Sequence, residues 1–343
     1  MENKVLLSFI LPLFNVEKYI SECVHSLYAQ DIPIDNYEVI IVNDCSPDSS
    51  RSIVIALQEV YSTLILVDLE QNSKQGAARN AGLKVAVGEY IWFVDSDDFV
   101  KPNVLKGLIK IMSDNHLDIL HFDYARVTLE GKIEEIYDTK YTTDVMTGLN
   151  FFHHEGEIWW KKDIEVWRKL HSKNFLIQNH IEFEEHVFFE DFLYSIKSII
   201  LATRIMHVSQ TPYCYRDNPT SFMNSKETGE KLSESVKLNL KCIEFCDYVK
   251  NIDVSYVKLL MDFVKCNFNV LIKKLAYLPI REQHFFFKKI KNETLIKESC
   301  ELSRISYCTL SKPILSMIFL LPILRIKTYL RSKYKNNIIQ DNN

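Results

Sequence analysis

Short apolar runs alternate with amphipathic segments along the first 120 residues. Val5–Leu11, Tyr37–Val42, Leu64–Asp68 and Tyr90–Val94 are apolar enough to predict strands buried in a sheet. Between them lie stretches of helical period. In Val16–Gln30, the residues Tyr19, Ile20, Cys23, Val24 and Leu27 share one face. Asp48–Gln58 opens on Asp and Ser residues suited to capping a helix. Lys74–Val87, which carries Gly76 and Gly82, and Asn103–Ser113 continue the alternation. Strand–helix alternation at this spacing predicts parallel strands with helices on both faces. In such a sheet, ligands bind beyond the carboxyl ends of the strands.

The pattern changes after His116. Leu117–His121 reads as another strand, and Tyr124–Tyr141 alternates around Glu130-Gly131, a predicted hairpin turn. Residues 145–170 are rich in aromatics, with Trp159-Trp160 the pair expected to be exposed, and include His153-His154. No third metal-ligating residue stands near that histidine pair, which reads as solvated or groove-lining. Phe192–Ile200 is helical, as are Leu232–Lys250 and Val254–Ala276, whose apolar stripes carry charged opposite faces.

Charge and composition narrow the class. Basic residues number 41 and acidic residues 45, a balance that lacks the basic excess of a dedicated nucleic-acid binder. The eight cysteines include no C-x-x-C pair, so they predict buried thiols in a reducing compartment rather than a zinc site or disulfide framework. The amino-terminal residues do not resemble a signal peptide, and no apolar stretch is long enough to span a bilayer. A cytoplasmic protein is therefore expected. Neither G-x-G-x-x-G nor G-x-x-x-x-G-K-[ST] occurs, which argues against a dinucleotide oxidoreductase and a P-loop kinase.

Three strand ends carry polar chemistry: Pro12-Leu13-Phe14-Asn15, Asn43-Asp44-Cys45-Ser46-Pro47-Asp48 and Asp95-Ser96-Asp97-Asp98. Carboxylates two residues apart at the end of a strand can converge on a hard cation. Mg²⁺ takes few carboxylates and completes its shell with water and phosphate oxygens, so such a site implies a phosphorylated ligand. The alternative is a solvated acidic turn that precedes a helix.

Taken in order, SFILPLFNVEKYI, YEVIIVNDCSPDSS and NSKQGAARNAGLKVAVGEYIWFVDSDD resemble the family 2 glycosyltransferases over residues 5–115, and more loosely to about residue 225. The resemblance implies an α/β GT-A fold, a Rossmann-like mixed sheet flanked by helices, for residues 1–225. Residues 1–115 would bind a nucleotide-diphosphate sugar, usually a UDP-sugar, and 116–225 would form the acceptor side. Residues 226–343 would be a helical C-terminal region. By the same resemblance, Pro12 and Phe14 would line the nucleobase, with Asn15 and Glu17 in the same motif; Glu17 could instead be a charge in the first turn of the following helix. Asp44 would meet the base or ribose. Asp95 would contact ribose, and Asp97, with Asp95, would hold Mn²⁺ or Mg²⁺ against the two phosphates. Asp98 would cap a helix or support the motif. Arg79 would lie near the nucleotide, with an ion pair to the acidic edge as the alternative. The family often has glycine at the position of Cys45.

Farther along, Glu190-Asp191 resembles the family's E-D motif, and TPYCYRDNPTSFM its Y-x-Y-R segment. An inverting transfer is a single displacement that needs a carboxylate to take the acceptor's proton. Asp191 is assigned that role, with Glu190 as its neighbour. Arg216 would pair with the diphosphate or, alternatively, with Glu190 or Asp191; His207 could add a metal or phosphate contact. Glu182, Glu184 and Glu185 receive no role.

Residues 312–335 join an apolar run to Arg325, Lys327, Arg331, Lys333 and Lys335, a composition that fits an interfacial helix on an anionic membrane. A buried or dimer-forming helix is the rival. The resulting expectation is a metal-dependent inverting hexosyl- or N-acetylhexosaminyl-transferase acting on a glycan or lipid-linked acceptor. A non-catalytic sugar-nucleotide-binding scaffold and a nucleotidyltransferase are the alternatives. The nucleotidyltransferase would need a glycine-rich basic loop that PLFNVEKY does not supply.

Overall fold

The computed structural model describes residues 4–155, 165–218 and 226–290. The chain divides into two compact units, residues 1–224 and 225–343. Expectations for Trp159-Trp160 and for the 312–335 helix lie outside the described residues.

The first unit is built on one mixed sheet. Strands β1 (Leu7–Leu13), β2 (Tyr37–Asn43), β3 (Leu64–Asp68) and β4 (Tyr90–Phe93) run parallel in the order β3-β2-β1-β4. Every residue of β1 and β2 is buried, as expected for central parallel strands covered on both faces. The sheet continues from β4 through β8 (Lys169–Ser172), β6 (Ile119–Val127) and β9 (Ile205–Arg216) to β5 (Phe99–Val100). Strand β8 is antiparallel to both β4 and β6, whereas β9 is parallel to β6. Strand β7 (Ile133–Tyr137) pairs with β6 as the expected hairpin, whose turn places Gly131 at φ 79°.

Helix α1 (Ile20–Tyr28) buries Ile20, Cys23, Val24 and Leu27 of the stripe expected from sequence, whereas Tyr19 precedes the helix and is half-buried. The helix starts later than its periodicity suggests: Asn15 has φ 57°, outside the helical region, and the backbone N–H groups of Asn15, Val16 and Glu17 donate to Ser46, Ser50 and Asp48. Helices α2 (Ser50–Gln58), α3 (Lys74–Val85) and α4 (Leu105–Asp114) complete the alternation. A methyl group at Gly82 would lie 2.4 Å from the Ile10 side chain, so α3 packs more closely on β1 than alanine allows. Helices α5 (Gly148–Glu155), α6 (Lys173–Gln178) and α7 (Glu190–Leu201) follow. Phe183 stacks on Tyr194 of α7 at 3.9 Å, and both meet Phe93 of β4 edge-on, which fixes the start of α7 against the sheet.

In the second unit, α8 (Gly229–Val249), α9 (Val254–Tyr277) and α10 (Ile280–Ile290) form a helical cluster. Thr228 and Asp253 cap α8 and α9 by accepting backbone N–H groups. Among the described residues no helix is long and apolar enough to cross a membrane.

Candidate active site

Asp44 follows β2 and Asp95 lies just beyond β4, and both strands pair with β1. At ordinary strand spacing the two ends are about 10 Å apart along one sheet rim. The Asp95–Asp98 turn is braced from several directions. Ser96 Oγ donates to the Pro12 carbonyl at 2.7 Å, tying the turn to the end of β1. The Asp95 N–H donates to Tyr213 Oη at 3.1 Å, and that hydroxyl donates to Asp98 Oδ2 at 2.6 Å. Asp98 also accepts the Arg216 N–H at 2.7 Å and is buried. It therefore supports the turn rather than capping a helix. Asp97 is partly exposed, and Asn218 Nδ2 donates to its Oδ2 at 3.0 Å.

Arg79 joins this turn to the start of α7. Its guanidinium contacts Asp95 Oδ1 at 2.7 Å, Glu190 Oε1 at 2.6 Å and Asp191 Oδ1 at 3.4 Å. The Arg79 side chain has no exposed surface, whereas that of Asp191 is 27% exposed and that of Glu190 only 5%. One cation against three carboxylates leaves negative charge in excess. Burial lifts the Glu190 carboxyl well above its ordinary range, Asp191 adds to the rise, and Arg79 only partly opposes it. Burial raises Asp95 as well, Arg79 opposes that rise, and Asp191 and Asp97 reinforce it. Burial alone would lower Arg79, but its carboxylate partners outweigh that effect and hold it charged. Phe189, just before α7, has φ 64°, an uncommon backbone state for a bulky residue beside the Glu190-Asp191 pair.

The expected nucleobase residues lie at the neighbouring strand end. Pro12 is buried within β1, while Phe14 is 47% exposed and Asn15 is also exposed. Glu17 accepts the Ser49 N–H at 2.9 Å, just ahead of α2, rather than lying in the first turn of α1. Asp44 is buried, and its Oδ1 accepts the Ser73 N–H at 2.6 Å at the start of α3. Burial lifts its carboxyl, with backbone bonds from Ser73 and Lys74 opposing the rise.

Cys45 adopts φ 56°, the left-handed region that glycine enters without strain. Relief of about 1–2 kcal/mol of backbone strain exceeds the chain-entropy cost of glycine. Cys45→Gly is therefore expected to raise stability by about 0.5–1 kcal/mol. A lower melting temperature would instead show that the thiol's 3.2 Å contact with the Leu69 carbonyl dominates.

Arg216 departs from both sequence expectations. Its Nη2 pairs with Glu22 Oε2 at 2.7 Å, Nε donates to the Asp97 carbonyl at 2.9 Å, and Nη1 donates to the Leu129 carbonyl. Only 1% of the side chain is exposed. Each of its three nitrogens bonds inside the fold and the side chain is buried, so it pairs with neither Glu190 nor Asp191 and presents no exposed fork to a diphosphate. Instead it ties the Asp97 backbone to α1 and to the β6–β7 turn. Glu22 had no local signal of this role, because the pair spans 194 positions. Tyr213 and Asn218 were quoted only as parts of a motif, yet both hold the acidic turn.

His207 lies in a buried cluster with His121, at 2.8 Å, and Thr139, at 2.7 Å, which makes it part of the β6–β9 interior. His153 and His154 are exposed on α5. Glu182 is exposed, Glu184 lies 3.7 Å from Lys197, and Glu185 accepts Asn80 Nδ2 at 3.0 Å.

Comparison with known proteins matches residues 8–194 to the model described as glycosyl transferase family 2. The chain belongs to glycosyl transferase family 2. Among its family 2 relatives, an uncharacterized glycosyltransferase of Haemophilus influenzae is 30% identical over 271 residues, covering 79% of this chain and 98% of that protein. The Staphylococcus aureus poly(ribitol-phosphate) β-N-acetylglucosaminyltransferase TarS is 33% identical over 230 residues, covering 66% of this chain but 37% of TarS. The chain also spans only 62% of the uncharacterized glycosyltransferase EpsJ of Bacillus subtilis, at 31% identity over 63% of this chain. The crystal structure of TarS residues 1–349 in complex with UDP-GlcNAc shares the fold, with a TM-score of 0.62 at 24% identity. It matches 90% of this chain and 91% of that one. Family 2 membership and the TarS structure establish the GT-A fold.

The donor set at the rim fits a hard divalent cation. Asp95 and Asp97, both partly exposed on one turn, would supply carboxylate oxygens to it. Among the described residues, no three acidic, histidine or cysteine side chains form a complete metal cage. A cation held here would rely on few protein ligands, with water and phosphate oxygens filling the remaining positions.

Proposed function

We propose that this family 2 enzyme transfers a sugar, with inversion, from a UDP-sugar to a hydroxyl of a glycan or lipid-linked acceptor in surface-polysaccharide synthesis, using Mn²⁺ or Mg²⁺. The observation that carries this reading is the joining, through Arg79, of the Asp95–Asp98 turn to the Glu190-Asp191 pair. Relatives named as N-acetylglucosaminyl- and glucosyltransferases support a hexosyl or N-acetylhexosaminyl donor.

In this reading, exposed Phe14 stacks on the uracil, and Asp44 meets the base or ribose. Asp95 and Asp97 hold the divalent cation. That cation would neutralise charge on the departing diphosphate. Asp191 is the general base rather than Glu190 because its carboxylate is the more exposed of the two, whereas burial lifts the carboxyl of Glu190. It takes the proton from the acceptor hydroxyl as the oxygen attacks the anomeric carbon and the sugar–phosphate bond breaks. We further propose a cytoplasmic enzyme that meets the inner membrane face through residues 312–335.

Thermal melts with UDP-, GDP- and dTDP-sugars in the presence of Mn²⁺ test the donor. Selective stabilisation by a UDP-sugar, followed by its metal-dependent turnover, is expected. Stabilisation without turnover would identify a non-catalytic sugar-nucleotide binder, and preference for a GDP- or dTDP-sugar would overturn the UDP assignment.

A further inference from the structure

We propose that the face of α3 formed by Gly76, Arg79 and Asn80 is a positioning device for the base-bearing segment 183–191, rather than part of the nucleotide pocket. The proposal rests on the preceding reading of Asp191 as the base. Residues 76, 79 and 80 are spaced i, i+3 and i+4, so they share one helix face.

Each makes a different contact with the same segment. Asn80 Nδ2 donates to the Phe183 carbonyl at 3.0 Å, and Asn80 Oδ1 accepts the Phe183 N–H at 2.9 Å. The same Nδ2 reaches Glu185 Oε1 at 3.0 Å. This two-way clasp fixes the backbone at the start of the segment. Arg79 fixes its end through Glu190 and Asp191, while its guanidinium lies 5.3 Å from the centre of the Phe183 ring. Gly76 permits the close approach: a methyl group there would lie 2.4 Å from the Glu184 carbonyl oxygen and 3.3 Å from Glu190 Cβ. A nucleotide-contacting arginine would need an exposed donor, yet the Arg79 side chain has no exposed surface, and even Nε, which bonds to no group among the described residues, is buried.

The clasp has a catalytic consequence. Phe189 holds the left-handed state immediately before the Glu190-Asp191 pair. A segment with that conformation needs fixing on both sides if the base is to stay aligned with the acceptor hydroxyl. Small misplacements of a base are costly, with about 1 Å corresponding to about a hundredfold in rate.

The test compares the full chain with Arg79→Lys, Asn80→Asp, Gly76→Ala and the pair Asn80→Asp/Glu185→Gln. Calorimetry with UDP and Mn²⁺ reads binding, Mn²⁺-dependent turnover of the UDP-sugar selected by the melting screen reads kcat and KM, and hydrogen exchange reads protection of 183–191. Asn80→Asp should lower kcat by roughly tenfold to a hundredfold while leaving UDP affinity within about twofold. It should also lose exchange protection in 183–191 but keep it in 44–46 and 95–98. The paired variant reverses the sense of the 80–185 bond and should recover part of both losses. Weakened UDP binding with kcat intact, or unchanged exchange in 183–191, would overturn the proposal. Arg79→Lys keeps the charge but loses the fork, and Asn80→Asp remains decisive if that variant does not fold. Absence of turnover in the wild type would count against the transferase reading, while the exchange measurement would still decide the positioning role.

Discussion

Asp191→Asn is expected to lower the transfer rate by about a hundredfold or more while leaving UDP affinity unchanged. The amide keeps the shape of the side chain but cannot accept the acceptor's proton. The adjacent carboxyl is a poor substitute: only 5% of the Glu190 side chain is exposed, and burial and Asp191 push its carboxyl upward. Single-turnover measurement with the UDP-sugar selected by the melting screen checks this expectation. A fully active variant would end the assignment of Asp191 as base. Retained activity that disappears on adding Glu190→Gln would move the role to Glu190.

Asp97→Ala is expected to abolish Mn²⁺-dependent UDP binding, a loss beyond the roughly 10–100-fold typical of outer partners of a metal ligand. Asp97, like Asp95, is partly exposed, and its side chain accepts a 3.0 Å bond from Asn218. Its removal should leave the turn standing, because Asp98, Tyr213 and Ser96 hold it independently. Calorimetric titration of UDP with and without Mn²⁺ separates loss of metal-dependent affinity from loss of fold. Unchanged binding would remove the metal assignment from Asp97.

The two aspartates were legible for different reasons. Asp97 stood out because acidic residues directly after an apolar strand have no role in the core. Asp191 stood out only through resemblance, since an acidic pair at a helix start is also what the helix dipole favours. Cys45 was legible only as a departure from the family's glycine; the structure supplies the reason glycine suits the position, a backbone φ of 56°.

The two arginines show where local reading stops. Arg79 was expected at the nucleotide or in an ion pair with the acidic edge, and Arg216 at the diphosphate or the E-D pair. Arg79 takes the ion pair with Asp95 and also reaches across 111 positions to Glu190, whereas Arg216 spans 194 positions to Glu22. A guanidinium can serve a phosphate or a carboxylate, so its identity alone does not select the partner. Strand β8 is a parallel case. Its residues read as part of an aromatic-rich stretch, and only pairing with β4 and β6 sets it antiparallel between them.

Hydrophobic periodicity determined the strands and helices of the first 120 residues, because the environment of a side chain in a regular element follows from its spacing. The order of polar strand ends determined that acidic groups would gather at one rim. Tertiary structure alone decided which of those acids share Arg79, which are sealed behind Tyr213 and Arg216, and which keep a face to solvent. The reason is that ion pairs and burial depend on separations of a few ångströms. Those separations are set by how distant segments pack, and no local pattern encodes them.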